Sequence, residues 1–277
     1  MCYHISLHVN PETIGDVFPG TIFDPLLEES YHPADYMNGF DHKMVPVLLT
    51  GRKDGKRHLA PMMWGFLGSM ARNFEDARRF WNGYKDETGK WKQGYITLNA
   101  TGEDLLEKKM YKDAALHRRC IVFADGFYEW YHHHPIGRKG ERLKTVVKYP
   151  HHIQLKDRSQ PLMMFAAIWN PWRHTEVNTG TGEIQELVTP TFAIITTAAN
   201  ELMSRIHNSK QRMPVILNRD LAEEWIREGL TEQRIREIAT WQYPSELMEA
   251  YTIAKDFQQL ANPRERFEYP EWDGVFC

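Results

Sequence analysis

CIVFADGFYEW, residues 120–130, is an apolar and aromatic run broken by Asp125-Gly126 and carrying one further carboxylate, Glu129. A run this short, interrupted by a turn pair, reads as strand. Leu162–Trp169 and Thr191–Thr196 are β-branched or apolar runs of buried-strand type, and Val215–Leu217 adds a short strand. Upstream, Val45–Leu49 and His58–Phe66 predict two strands separated by the polar turn Gly51-Arg52-Lys53-Asp54-Gly55. Cys2–Val9 alternates, with Tyr3, Ile5, Leu7 and Val9 on one face and Cys2, His4, Ser6 and His8 on the other. The centre of the molecule is therefore a sheet.

Helices belong at the periphery. Phe74, Ala77, Phe80 and Trp81 recur at helical spacing within Arg72–Tyr84, and a second helix is predicted over Glu103–Tyr111, whose early acidic residues suit the macrodipole. Asp220 to Glu223 reads as a capping box opening a helix to Glu228, and Thr231 starts another to Ala239. Residues 10–43 read as a long irregular wrap, 132–149 as an exposed loop or hairpin extension, and the Pro-rich aromatic tail from Ala261 as a segment draped over the rest. Without repeats or a low-complexity linker, the expectation is a single α+β domain over residues 1–277.

Composition narrows the function. A formal net charge of -3 argues against a protein that coats duplex DNA by charge alone, while leaving room for a local basic groove. The cysteines, Cys2, Cys120 and Cys277, have no paired spacing, which indicates neither a disulfide framework nor a zinc knuckle. His132-His133-His134 is no metal site, because consecutive strand residues alternate faces. No cofactor is expected. No signal segment opens the chain, and no apolar run approaches the roughly 18 residues of a membrane span, so a soluble cytoplasmic protein is expected.

Cys2 directly follows the initiator Met, and a side chain as small as that of Cys permits Met removal. The mature residue then carries an amine and a thiol, with unperturbed pKa values near 7.7–8.0 and about 8.5. Such a 1,2-aminothiol condenses with an aldehyde to an imine and closes on it as a thiazolidine; taken alone, however, a Cys at this position reads as an accident of a frayed terminus. Glu129 shares a strand face with Phe127 and Tyr131, which desolvates a carboxyl and suits proton transfer. His207, followed by Lys210 and Arg212, reads equally as a structural histidine or as a titratable group among phosphate-binding cations. Asn99 serves as a cap or as a neutral hydrogen-bonding group, and Trp64 packs or stacks on a base. Lys108, Lys109, Arg118 and Arg119 are either a solvated face or one wall of a groove.

The order of these fragments carries more than each alone. Met1-Cys2, Trp64-Gly65, Asn99-Ala100 with Glu103, Arg119-Cys120, Ala124 to Trp130, Phe165 to Trp169, Ile195-Thr196 and Ile206-His207 with Arg212-Met213-Pro214 together resemble the SOS response-associated peptidase (SRAP) family of abasic-site processing proteins, over residues 2 to about 230. The resemblance implies one α+β domain with a central barrel-like β-sheet, peripheral helices and a basic cleft for single-stranded DNA. It implies Cys2 as nucleophile that also releases Met1, Glu129 as acid/base, His207 as the residue assisting sugar-ring opening and reversal, and Asn99 as the group orienting the reactants. Trp64, Lys109, Thr196 and Arg212 fall where family members contact bases or backbone. The implied partner is single-stranded DNA containing an abasic site, bound by a monomer in the cytoplasm, at the nucleoid when the DNA is damaged.

Three positions depart from the family pattern. Tyr3-His4 replaces a common Gly-Arg, Thr101 stands where an Arg commonly follows Asn-Ala, and Asn208-Ser209-Lys210-Gln211 lengthens the usual single-residue spacing before Arg212, with Lys210 placed to compensate. Two other readings remain compatible with the residues: an N-terminal-nucleophile amidohydrolase attacking through the thiolate, and a non-catalytic reader of single-stranded or modified DNA.

Overall fold

The two halves of residues 119–133 lie in different sheets. A computed structural model describes residues 2–157, 159 and 162–270. In chain order its elements are β1 (His4–Leu7), α1 (Pro11–Val17), β2 (Ile22–Phe23), α2 (Leu27–Ser30), β3 (Ala34–Asn38), β4 (Met44–Thr50) and β5 (Arg57–Trp64). They continue with α3 (Phe74–Asn82), β6 (Tyr84–Lys85), β7 (Trp91–Lys92), β8 (Asn99–Thr101), α4 (Lys109–His117), β9 (Arg119–Ala124), β10 (Gly126–His133) and β11 (Val147–Leu155). The rest are β12 (Met163–Val177), β13 (Ile184–Ala198), α5 (Glu201–Ile206), β14 (Arg212–Pro214), β15 (Ile216–Leu217), α6 (Arg219–Trp225), α7 (Glu232–Ala239) and β16 (Met248–Thr252).

Strands β13, β12, β9, β4 and β5 pair in that order, and a parallel contact of Thr191 with Met63 and Phe192 with Trp64 joins β13 back to β5. This closes a five-strand barrel in an α+β fold, and closure removes the sheet edges that would otherwise need protection. All six residues of β9 are buried, as a strand covered on both faces requires. A second sheet, ordered β16-β11-β10-β1-β3, packs on the barrel, and one core joins Ile5, Leu7, Phe127 and Ile153 of this sheet to Val47, Val122 and Phe165 of the barrel.

Asp125-Gly126 is not a hairpin turn. It is the bend by which the chain leaves the barrel for the second sheet: Asp125 N donates to Ser6 O at 2.9 Å, and Gly126 pairs with Ser6. A Cβ on Gly126 would stand 2.3 Å from His152 Nε2, so only glycine fits.

Several expectations shift. The wrap over residues 10–43 holds two short helices and two strands, and β3 forms the edge beside β1. The helix placed at Glu103–Tyr111 is a 3-10 turn at Gly102–Asp104 followed by α4. The buried set Tyr111, Ala114 and Ala115 carries the true period. The capping residue of α6 is Asn218, whose side chain accepts from Leu221 N, rather than Asp220; Thr231 caps α7 as read. The tail crosses β16, with Phe267 N on Thr252 O at 2.9 Å, while Cys277 lies outside the described residues.

Arg119 is internal rather than a groove wall. Its guanidinium donates to the carbonyls of Trp225 (2.8 Å), Ala115 (2.8 Å), Leu116 (2.6 Å) and Arg227 (2.6 Å), tying α4 and the end of α6 to the barrel. Arg118 pairs with Asp113 at 2.6 Å and Lys108 with Asp104 at 2.8 Å, which leaves Lys109 as the exposed cation of that cluster without an ion pair among the described residues. Replacing Arg119 by Met strands four carbonyls, those of Trp225 and Ala115 buried and those of Leu116 and Arg227 partly so, and is expected to lower stability by about 3 kcal/mol, read as the urea midpoint. An unchanged midpoint contradicts this bracing role.

Candidate active site

Cys2 is fully buried at the head of β1, an internal strand flanked by β10 and β3. Strand pairing fixes its direction: Ile5 faces Phe127, and Gly39 N donates to Tyr3 O at 2.8 Å. Asn99 Nδ2 donates to Cys2 O at 3.0 Å, so the residue is held from the barrel side as well. A reagent fixed this way is aimed, unlike one on a free terminus. Burial pushes the Cys2 thiol well above its ordinary value, the nearby Glu129 carboxylate pushes it further, and the His4 N–H at the sulfur pulls it back. The sulfur is therefore held as a thiol at neutral pH.

Glu129 lies on β10 with 5% exposure, and desolvation raises its carboxyl to about 7. A carboxyl poised there exchanges protons at physiological pH. His207 follows α5; its Nε2 stands 3.8 Å from Glu129 Oε2 and its Nδ1 lies 2.9 Å from Arg212 O. A carbonyl only accepts, so Nδ1 carries the proton. Burial lowers His207 to about 4, which keeps the ring neutral with a bare Nε2 turned toward Glu129. Residues 2, 99, 129 and 207, separated by up to 205 positions, thus converge.

The lengthened segment after His207 is anchored. Asn208 Oδ1 accepts from His132 N at 2.9 Å and Asn208 Nδ2 donates to His132 O at 3.0 Å, clasping the loop to the strand that bears Glu129. Gln211 takes a left-handed φ of 50°, turning the chain back toward Arg212. Asn208→Ala releases both backbone groups and is expected to loosen the His207–Glu129 spacing, costing about 1–3 kcal/mol of stability. Denaturant titration checks this, and a shift below about 0.5 kcal/mol counts against the clasp.

Of the four residues placed by resemblance at the DNA contacts, Trp64, Thr196 and Arg212 sit differently from that expectation, while Lys109 is exposed as a contact residue requires. Trp64 is 1% exposed, donates from Nε1 to Leu98 O at 3.0 Å and lies parallel to Phe192, so it offers no open face to a base. It instead supports the segment that presents Asn99. Thr196 is 1% exposed; its side chain faces Ala100 O and its carbonyl accepts from Arg212 Nη2 at 2.7 Å. Arg212 forms a bidentate pair with Glu103 at 2.7 Å on both arms, which offsets its charge. Lys109 and Lys210 are exposed.

An aromatic wall beside Cys2 escaped the sequence reading. His4 stacks on Tyr36, meets the edge of Trp130, and takes a 2.8 Å hydrogen bond between Nδ1 and the Tyr36 hydroxyl. Gln258 Nε2 donates to that same hydroxyl at 2.9 Å, so the hydroxyl proton goes to His4. Burial lowers His4 to about 4, making it neutral where the family pattern has a cation. The alternation of residues 2–9 marked His4 as a neighbour of Cys2, but Tyr36 and Gln258 reach it only through the fold.

Among the described residues no group of three or more His, Cys, Asp or Glu side chains is placed to hold a metal ion, and no helix is long and apolar enough to cross a membrane.

A closed barrel and a second sheet together bring Cys2 to the Glu129–His207 pair. Residues 1–260 match the family model "SOS response associated peptidase (SRAP)", and the chain belongs to that family. Among its relatives is the abasic site processing protein YoqW of Bacillus subtilis, 32% identical over 257 residues and covering 92% of each chain. The Escherichia coli abasic site processing protein YedK is 28% identical over 193 residues, 70% of this chain and 66% of that one. A crystal structure of a Bacteroides thetaiotaomicron protein superposes with a TM-score of 0.68 at 27% identity, covering 95% of this chain and 97% of the other.

Proposed function

We propose that this protein processes abasic sites in single-stranded DNA by linking them covalently to Cys2. The convergence of Cys2, Asn99, Glu129 and His207 in one buried cluster is the observation that carries the reading, and the relatives named for abasic-site processing support it.

An abasic deoxyribose exists partly as a ring-opened aldehyde. With Met1 removed by the protein itself, the Cys2 amine attacks the aldehyde carbon. Glu129, titrating near 7, gives a proton to the departing hydroxyl, so water leaves and an imine forms. Because the thiol is held protonated, the amine acts first. His207 Nε2 or the newly ionised Glu129 then takes the thiol proton, sulfur closes on the imine carbon, and nitrogen is reprotonated. The product is a five-membered thiazolidine, formed with loss of one water, which removes the aldehyde that would otherwise lead to strand cleavage. Asn99 holds the Cys2 carbonyl and keeps the two nucleophiles aligned.

The test incubates the protein with single-stranded DNA carrying one abasic site and, in parallel, with the tetrahydrofuran analogue, which lacks an aldehyde. The reading predicts a denaturation-resistant adduct with the abasic strand and none with the analogue. Tight reversible binding of both strands with no adduct would assign the protein to non-catalytic DNA readers.

A further inference from the structure

Beyond Glu129, β10 and β11 continue as an ordered hairpin whose base pairs His132 with Lys148 and His133 with Val147. Further out, Ile136 bridges Arg142, and Leu143 N donates to Pro135 O at 2.8 Å. Gly140 takes a φ of 80° at the tip, where a side chain would be strained. This is a built arm rather than a loose loop.

Its charge is opposite to that of the chain. Arg138, Lys139, Arg142, Lys144 and Lys148 face a single acidic residue, Glu141, in a protein of net charge -3. All five cations are exposed, and among the described residues none has a carboxylate within ion-pair distance. Elsewhere Arg205, Arg219, Arg234, Arg236 and Arg264 each pair with an acidic side chain. The hairpin cations are thus left for a partner outside the chain.

Position selects that partner. The hairpin is the continuation of the strand that holds Glu129, and Asn208 clasps its base to the His207 loop. At about 3.3 Å per residue, its tip reaches up to about 30 Å from Glu129. That length matches on the order of nine nucleotide steps at about 3.4 Å each. We infer that the hairpin over residues 134–148 binds the phosphate backbone of the DNA flanking a lesion held at Cys2, through Arg138, Lys139, Arg142 and Lys144. The inference rests on the function proposed above and assigns the surface that receives the rest of the strand.

The flank meeting the arm is single-stranded or duplex; both present regularly spaced phosphates, and the probes separate them. The variant Lys139→Gln/Arg142→Gln/Lys144→Gln is compared with wild type by fluorescence anisotropy. The probes carry the tetrahydrofuran analogue in a strand just long enough to fill the site, in a strand several times longer, and in the long strand made duplex on one side or the other. Loss of three phosphate contacts predicts about tenfold weaker binding to a long probe and a salt slope shallower by about 2, or somewhat more if the flank is duplex. The short strand is expected to bind equally well to both proteins. Circular dichroism confirms the fold of the variant. Equal affinity and equal slope on every probe overturn the assignment, as does an equal loss on the short strand, which would mean a general field effect. Adduct formation on a short abasic strand tests the Cys2 chemistry separately, so either idea can fail without the other.

Discussion

Cys2→Ala is expected to abolish the covalent adduct with abasic single-stranded DNA while leaving the fold and reversible binding of the tetrahydrofuran analogue intact. The residue supplies both nucleophiles, and Ala retains only the amine. An amine alone stops at the imine, which water reverses and denaturation releases. Because Cys2 is fully buried, the change removes one sulfur from a packed site and costs about 1–2 kcal/mol of stability, too little to unfold a protein of ordinary stability. Cys2→Ser tests the same point more finely, since a hydroxyl is a far weaker nucleophile than sulfur near neutral pH. Denaturing gels read the outcome: adduct from Cys2→Ala at the wild-type level contradicts the mechanism.

Glu129→Gln is expected to slow adduct formation by about 10²–10⁴-fold, the range associated with a lost acid–base group, with a similar shape left in place. The pH dependence carries a second signature. The acid form of Glu129 disappears above about 7, and the Cys2 amine, with an unperturbed pKa of about 7.7–8.0, is protonated at lower pH. The wild-type rate therefore follows a bell, and Glu129→Gln loses the alkaline limb. Stability moves the other way. Burial raises this carboxyl above its ordinary value of 4.5, so its favourable contribution is complete below about 4.5 and is lost as pH rises through about 7. The loss is on the order of 3 kcal/mol, and glutamine, which cannot ionise, avoids it. Glu129→Gln is thus expected to melt higher than wild type at pH 8 while reacting far more slowly. A variant that is both slower and less stable at pH 8 would falsify the assignment of a desolvated acid.

The strands were legible because short buried strands leave continuous apolar runs, as at residues 120–124, and because residues 4–7 alternate in polarity, although the fold buries Ser6 as fully as Ile5 and Leu7. Closure of the barrel was not, since the parallel contact of Trp64 with Phe192 joins positions distant in sequence and has no local signature. The same gap explains Trp64 and Thr196. Neither residue type announces burial, and the strand contacts that cover them belong to other segments. Arg119 looked like one more cation beside Arg118, although it is spent on four internal carbonyls, because an arginine bracing backbone and one facing solvent are identical in sequence.

Cys2, Glu129, His207 and Asn99 are candidates by the order of their flanking motifs, and their spatial convergence follows from pairings of β1 with β10 and of β8 with β13. Within the site, the neutral His4 held by Tyr36 and Gln258, and the clasp of Asn208 on His132, depend on contacts across the fold. These features are where this chain departs from the family pattern at positions 3–4 and 208–211. A neutral His4 and a Glu103-paired Arg212 leave the immediate site with little free positive charge. Binding strength then falls to exposed cations such as Lys109, Lys210 and the hairpin.

Mass spectrometry of the purified adduct, after nuclease trimming and proteolysis, reads the covalent linkage itself. The expected product is an N-terminal peptide that begins at Cys2, lacks Met1, carries the deoxyribose remnant with one water lost, and no longer reacts with a thiol alkylating agent. A remnant attached through a lysine, or an adduct peptide that retains Met1, contradicts it.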